Sequence, residues 1–177
     1  MTGQHMIALC RECAAEIYGT RPPNARYAES VAMLLAGTAA QESLLVHRRQ
    51  LGYDIQHDGG AWGLWQTEQY AVSDSMSYLR ERPDVRDRAA RWLLGSGRHD
   101  MAGILAMGGH GLMRLIHDWD RFACLCARLH YLRFPDPVPA DASGQARYWK
   151  RHYNTVLGRG KPEQYIEHFN ELIRPLL

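Results

Sequence analysis

Between residues 111 and 133, Leu112, Leu115, Ile116, Trp119, Phe122, Cys126 and Leu129 recur at intervals of three and four. Only a helix brings such positions onto one face, so the spacing predicts a single helix over 111–133 with that stripe buried. The same period runs through 5–18, where Met6, Leu9, Cys10, Cys13 and Ile17 share a face before Gly19 and Pro22-Pro23 end it. Asn24 is placed to cap a second helix reaching about Ser43, in which Val31, Leu35, Thr38 and Glu42 fall on one side. Further helices are expected near 70–81, 84–94, 100–108, 141–155 and 162–174, with Pro83 opening one and Gly95-Ser96-Gly97 breaking the next. Phe134-Pro135-Asp136-Pro137-Val138-Pro139 reads as a stiff connector, because three prolines forbid helix. The polar stretch 49–61, with Gly52, Gly59 and Gly60, is a loop with room for a short hairpin. The expectation is one all-α domain over 1–177, with that hairpin as its only β structure.

Composition narrows the function more than the fold. With 177 residues and 46% hydrophobic content the chain can bury a real core, and 23% charged residues do not suggest disorder. A formal charge of +2 makes no case for nucleic acid, although slight basicity suits an anionic polymer such as a cell wall. Cys10/Cys13 and Cys124/Cys126 lie far apart and inside helical patterns, which favours buried small hydrophobes over zinc ligands. The histidines include no H-E-x-x-H, so neither metal nor cofactor is implied. No signal peptide is recognisable and no apolar run approaches the ~20 residues of a membrane span. The reading is therefore a protein made in the cytoplasm, without a membrane or nucleic-acid partner, which something else must deliver if its substrate lies outside.

Chemistry concentrates around one carboxylate. Glu42 stands in Ala39-Ala40-Gln41-Glu42-Ser43, at the end of an apolar helical face, and Gly60-Ala61-Trp62-Gly63-Leu64-Trp65-Gln66-Thr67-Glu68 follows the loop. Apolar surroundings disfavour a carboxylate and raise its pKa, as a general acid near neutral pH requires. Gly63 allows a positive φ or close backbone approach, and Gln66 offers both donor and acceptor to a sugar. Trp62 and Trp65 bracket the turn, where indole faces could stack on sugar rings. Glycoside inversion also needs a base, with the two carboxyls about 6.5–9.5 Å apart. Asp58 and Glu68 are the candidates, with Asp54 a third.

Glu42-Ser43, the loop, and Gly63-Leu64-Trp65-Gln66 together resemble goose-type lysozyme and the soluble lytic transglycosylases, which carry Glu-Ser followed by Gly-Leu-Met-Gln. The resemblance spans Ala39 to Glu68 and implies a lysozyme-like helical domain with a substrate cleft. It implies Glu42 as general acid in cleavage of the β-1,4 bond between N-acetylmuramic acid and N-acetylglucosamine. Trp65 stands where the family has Met, which would alter a sugar subsite. Tyr153-Asn154 before Gly158-Arg159-Gly160 is similar to a Tyr-Asn pair of the transglycosylases, whose Tyr contacts the catalytic Glu or the substrate. If Glu42 acts alone, the product is a 1,6-anhydro sugar; with Asp58 or Glu68 as base, it is a reducing end. The segment from Ala127 to Phe169 also looks like small phage-encoded wall-degrading proteins. That likeness implies peptidoglycan glycan strands as partner and delivery by virion or lysis-machinery components. The reading from another class is a non-catalytic virion or wall-binding helical module with the same cleft.

Overall fold

The computed structural model describes residues 2–48, 60–95, 101–154 and 158–177. Asn24 caps the helix around which the rest is arranged: its side chain accepts a hydrogen bond from the Tyr27 amide at 2.8 Å and starts Ala25–Ser43. This helix is α2; Gly3–Glu16, started by the Thr2 hydroxyl, is α1. Every residue of α2 from Ser30 to Ala40 is buried, so it is covered on all sides. Small residues at Ala32, Ala36, Gly37, Ala39 and Ala40 let its neighbours approach closely.

The remaining helices are α3 (Gln69–Glu81), α4 (Pro83–Leu94), α5 (Met101–Ala106), α6 (Gly109–Asp118), α7 (Asp120–Leu132), α8 (Ala142–Trp149) and α9 (Pro162–His168). The chain continues beyond α8 as a wider π-helical turn, Lys150–Asn154, and beyond α9 as another, Phe169–Ile173. The helix α2 packs against α1, α7, α8 and α9, while α7 packs against α1, α3, α4 and α6. The described residues thus form an all-α fold whose sole β pairing is one antiparallel bridge, Trp62 to Thr67. None of their helices is long and apolar enough to cross a membrane.

The sequence predicts one helix over 111–133, and the structure has two. The chain turns at Trp119, whose backbone is extended (φ −131, ψ 92), and α7 restarts at Asp120. The apolar stripe continues across the break because both helices bury against the same core: Ile116, Trp119 and Phe122 are all inside. Periodicity therefore reports the shared core but not the bend. What holds the bend is charge: the Arg48 guanidinium grips both oxygens of Asp120, at 2.6 and 2.8 Å, and donates to the His117 carbonyl.

The four cysteines are buried at the contact of α1 with α7, and none forms a disulfide. The Cys13 thiol lies 3.8 Å from the Cys124 carbonyl. Burial pushes the thiols of Cys13, Cys124 and Cys126 upward, away from the reactive thiolate. They fill space as the sequence leads one to expect.

Candidate active site

Glu42 lies in the last turn of α2, on the face that carries Val31, Leu35 and Thr38. The Thr38 hydroxyl donates to the Leu34 carbonyl and sits 2.8 Å from the Tyr131 hydroxyl, so the polar group beneath Glu42 is satisfied internally. The Glu42 carboxyl is half-buried, and its Oε1 accepts a 2.8 Å hydrogen bond from the indole N–H of Trp149. Burial pushes the acid up from 4.5 to about 7; the Trp149 donor opposes that rise, and the negative charge of Glu68 adds to it. A helix C-terminus is also the unfavourable end of the dipole for a carboxylate. Beyond Ser43 the backbone enters the left-handed region at two successive residues, Leu44 (φ 51) and Leu45 (φ 61). Such conformations cost roughly 1–2 kcal/mol each for a residue with a Cβ, and such strain concentrates at functional sites.

The turn after the loop is built from its own sequence. Trp62 and Thr67 exchange both backbone hydrogen bonds, at 3.1 and 2.9 Å, and the Gln66 amide closes onto the Gly63 carbonyl. Gly63 needs to be glycine twice over: its φ is +74, and a Cβ would stand 2.7 Å from the Ile116 carbonyl oxygen. Gln66 does not extend its amide as the sequence suggests. Its own φ is 45, and its side-chain N–H groups donate to the His47 and Gly63 carbonyls. Backbone carbonyls of the turn and of the segment before the loop use that donor.

Both tryptophans of the motif are corrected by the structure. Trp65 is 0% exposed and donates its indole N–H to the Leu35 carbonyl at 2.9 Å, so it has no face left for a sugar. Trp62 is buried as well, edge-on to His117 with ring centroids 5.9 Å apart. A large ring next to glycines on a tightly packed turn gains more by filling the core than by lining a surface. The exposed aromatic of the region is Tyr70 in the first turn of α3, 64% exposed; burial and then the charge of Glu68 raise its hydroxyl above the ordinary phenol range. Glu68 itself precedes α3, exposed and without a capping bond to it. Asp58, Asp54 and all but the last two residues of the stretch 49–61, where a short hairpin is expected, lie outside the described residues.

From the far end of the chain, Tyr153 and Asn154 arrive beside these groups in different roles. The Tyr153 hydroxyl donates to the Trp65 carbonyl at 2.8 Å and lies 3.5 Å from the Thr67 hydroxyl. Burial raises its pKa, and Glu42 is among the charges that raise it further. Asn154 turns away to structure the next segment: its carbonyl accepts from the Lys150 ammonium, which also donates to the Gly158 carbonyl. Trp149 is the neighbour of Glu42 that sequence reasoning misses. The one available signal was its position four residues before Tyr153, on the same side of a helix.

Among the described residues, no group of three or more His, Cys, Asp or Glu side chains is arranged to hold a metal ion. The chain matches no protein-family model, no curated protein and no solved structure.

Proposed function

We propose that this protein is a peptidoglycan-cleaving glycosidase that acts on the β-1,4 bond between N-acetylmuramic acid and N-acetylglucosamine, with Glu42 as general acid. One observation carries the reading: a half-buried carboxyl with a pKa of about 7, held by an indole donor and within reach of the charge of a second carboxylate. An acid with that pKa is still substantially protonated near neutrality and strong enough to give its proton up. Glu42 protonates the glycosidic oxygen as the C1–O bond breaks, leaving an oxocarbenium-like centre on the muramic ring. In hydrolysis Glu68 takes a proton from the attacking water. Its support is its charge, which reaches Glu42. Tyr70 supplies the stacking surface that buried Trp62 and Trp65 do not, because it is exposed and adjoins Glu68.

Transglycosylation keeps the same acid and dispenses with Glu68: the deprotonated Glu42 takes the proton of the muramic C6 hydroxyl as that oxygen closes the anhydro ring. What supports it is that the charge of Glu42 reaches Tyr153, whose counterpart in the transglycosylases contacts the catalytic Glu or the substrate. Virion or lysis-machinery components are the proposed means of delivery to the wall.

The test is digestion of purified peptidoglycan, with chitin oligomers in parallel, followed by mass spectrometry of the products. Reducing-end and anhydro muropeptides differ by one water, so one spectrum separates the two routes. Chitin cleavage without wall cleavage would move the substrate. Wall binding with no product from either polymer, equal for the wild type and Glu42→Gln, would leave only a non-catalytic module.

A further inference from the structure

Trp149 stands outside every motif that singles out Glu42, yet its N–H makes the hydrogen bond that orients the acid. Resting on the glycosidase reading, we infer that Trp149 is a positioning residue that confines the Glu42 proton to Oε2 and leaves that oxygen to the substrate. An indole N–H donates and cannot accept. The oxygen facing it must keep a lone pair there, so the proton of the neutral acid has to reside on the other one. Oε2 has no hydrogen-bond partner among the described residues, and it is not one of the buried unpaired polar atoms. The oxygen that carries the proton is therefore the one that no described residue engages.

The indole is itself held firmly. Trp149 is 0% exposed, and its ring packs against Tyr165 with centroids 5.6 Å apart. On its other edge the chain passes so close that a Cβ on Gly160 would lie 2.5 Å from Cη2 and 3.1 Å from Cζ2. A ring clamped between α9 and the Gly160 backbone cannot swing its nitrogen to another acceptor without repacking. The ionisable groups that face Glu42 from the surrounding elements are Glu68, Tyr131 and Tyr153. Burial keeps both phenols protonated, so Glu68 alone competes with Trp149 as an influence on the proton.

Trp149→Phe preserves bulk and removes the N–H. In carboxyl-13C NMR, with Glu42→Gln to assign the signal, the Glu42 midpoint is expected to rise by roughly one pH unit, the size expected of a charge-assisted hydrogen bond. The alkaline limb of the pH–rate profile should move with it, with kcat falling and KM little changed. A folded Trp149→Phe whose Glu42 midpoint stays put overturns the inference, whatever its stability. If that variant does not fold, the wild type answers instead. The Trp149 indole 1H–15N signal must shift with the Glu42 midpoint and stop shifting in Glu42→Gln; a signal indifferent to pH overturns the inference. Both titrations run without substrate, so a wild type that releases no glycan product sinks the glycosidase reading alone.

Discussion

Trp65, in the turn 62–67, and Trp149, at the end of α8, are equally buried, and each spends its single N–H on one acceptor in or beside α2. Trp65 donates to the Leu35 carbonyl in mid-helix; Trp149 donates to the Glu42 carboxyl in the last turn. A backbone carbonyl has no protonation state to influence, so the first bond is scaffold. A carboxyl does, so the second bond biases an equilibrium. Gln66 and the Trp62–Thr67 bridge hold the backbone of the turn and of nearby His47, whereas Trp149 and Tyr153 direct their N–H and O–H at residues about ninety or more positions away in sequence. Burial and residue type alone do not tell support from chemistry; the acceptor does.

The largest effect should come from removing the titratable proton of the group that Trp149 holds. Glu42→Gln should lower the glycan-release rate about a thousandfold, within the range for loss of a general acid. It should also abolish the pH dependence of stability that Glu42 contributes. The folded acid holds its proton up to about 7 against 4.5 ordinarily, so its stability advantage is complete below 4.5 and lost as pH rises past about 7. Urea unfolding should find Glu42→Gln gaining on the wild type by about 3 kcal/mol across that window. A constant difference between pH 4 and pH 8 would mean that the acid is not shifted.

The turn should fail through its backbone rather than its side chains. Gly63→Ala combines a left-handed φ with a contact against the Ile116 carbonyl, and should lose roughly 2–4 kcal/mol by chemical denaturation. Trp65→Phe should cost less, about 1–3 kcal/mol, from the lost bond to Leu35 and the space left behind. The alkaline limb of its pH–rate profile should stay where the wild type has it, in contrast to Trp149→Phe. If both variants move that limb equally, the distinction between the two indoles collapses. Smallest of all, Glu68→Gln should move the Glu42 midpoint downward, by less than Trp149→Phe moves it up, because the charge acts from a distance while the hydrogen bond is direct. Activity that survives in Glu68→Gln with anhydro products would assign the reaction to transglycosylation.

Much of this molecule was legible before any coordinates. Asn24 caps α2 because its short side chain reaches an amide three residues on, and Pro83 opens α4 because its missing N–H costs nothing there. The face that joins Val31, Leu35, Thr38 and Glu42 follows from helical geometry, and so does the prospect of an acid in apolar surroundings. Gly63 allows a positive φ or a close backbone approach, and the structure uses both. The misreadings share one cause. The bend at Trp119, the inward placing of Trp62 and Trp65, and the diversion of the Gln66 amide to backbone all depend on what lies across the core, not on neighbours along the chain.

The sequence by itself determined where helices begin, which side of each is apolar, and that Glu42 stands at the end of an apolar face. Those are relations within a few residues, governed by backbone sterics, capping and period. Only the tertiary structure decided which group meets that acid. Trp149 reaches it across 107 positions, and the choice rested on how α8, α9 and the Gly160 backbone packed around one indole. Packing in a dense interior is a property of all the surrounding volumes at once, and no local pattern along the chain encodes it.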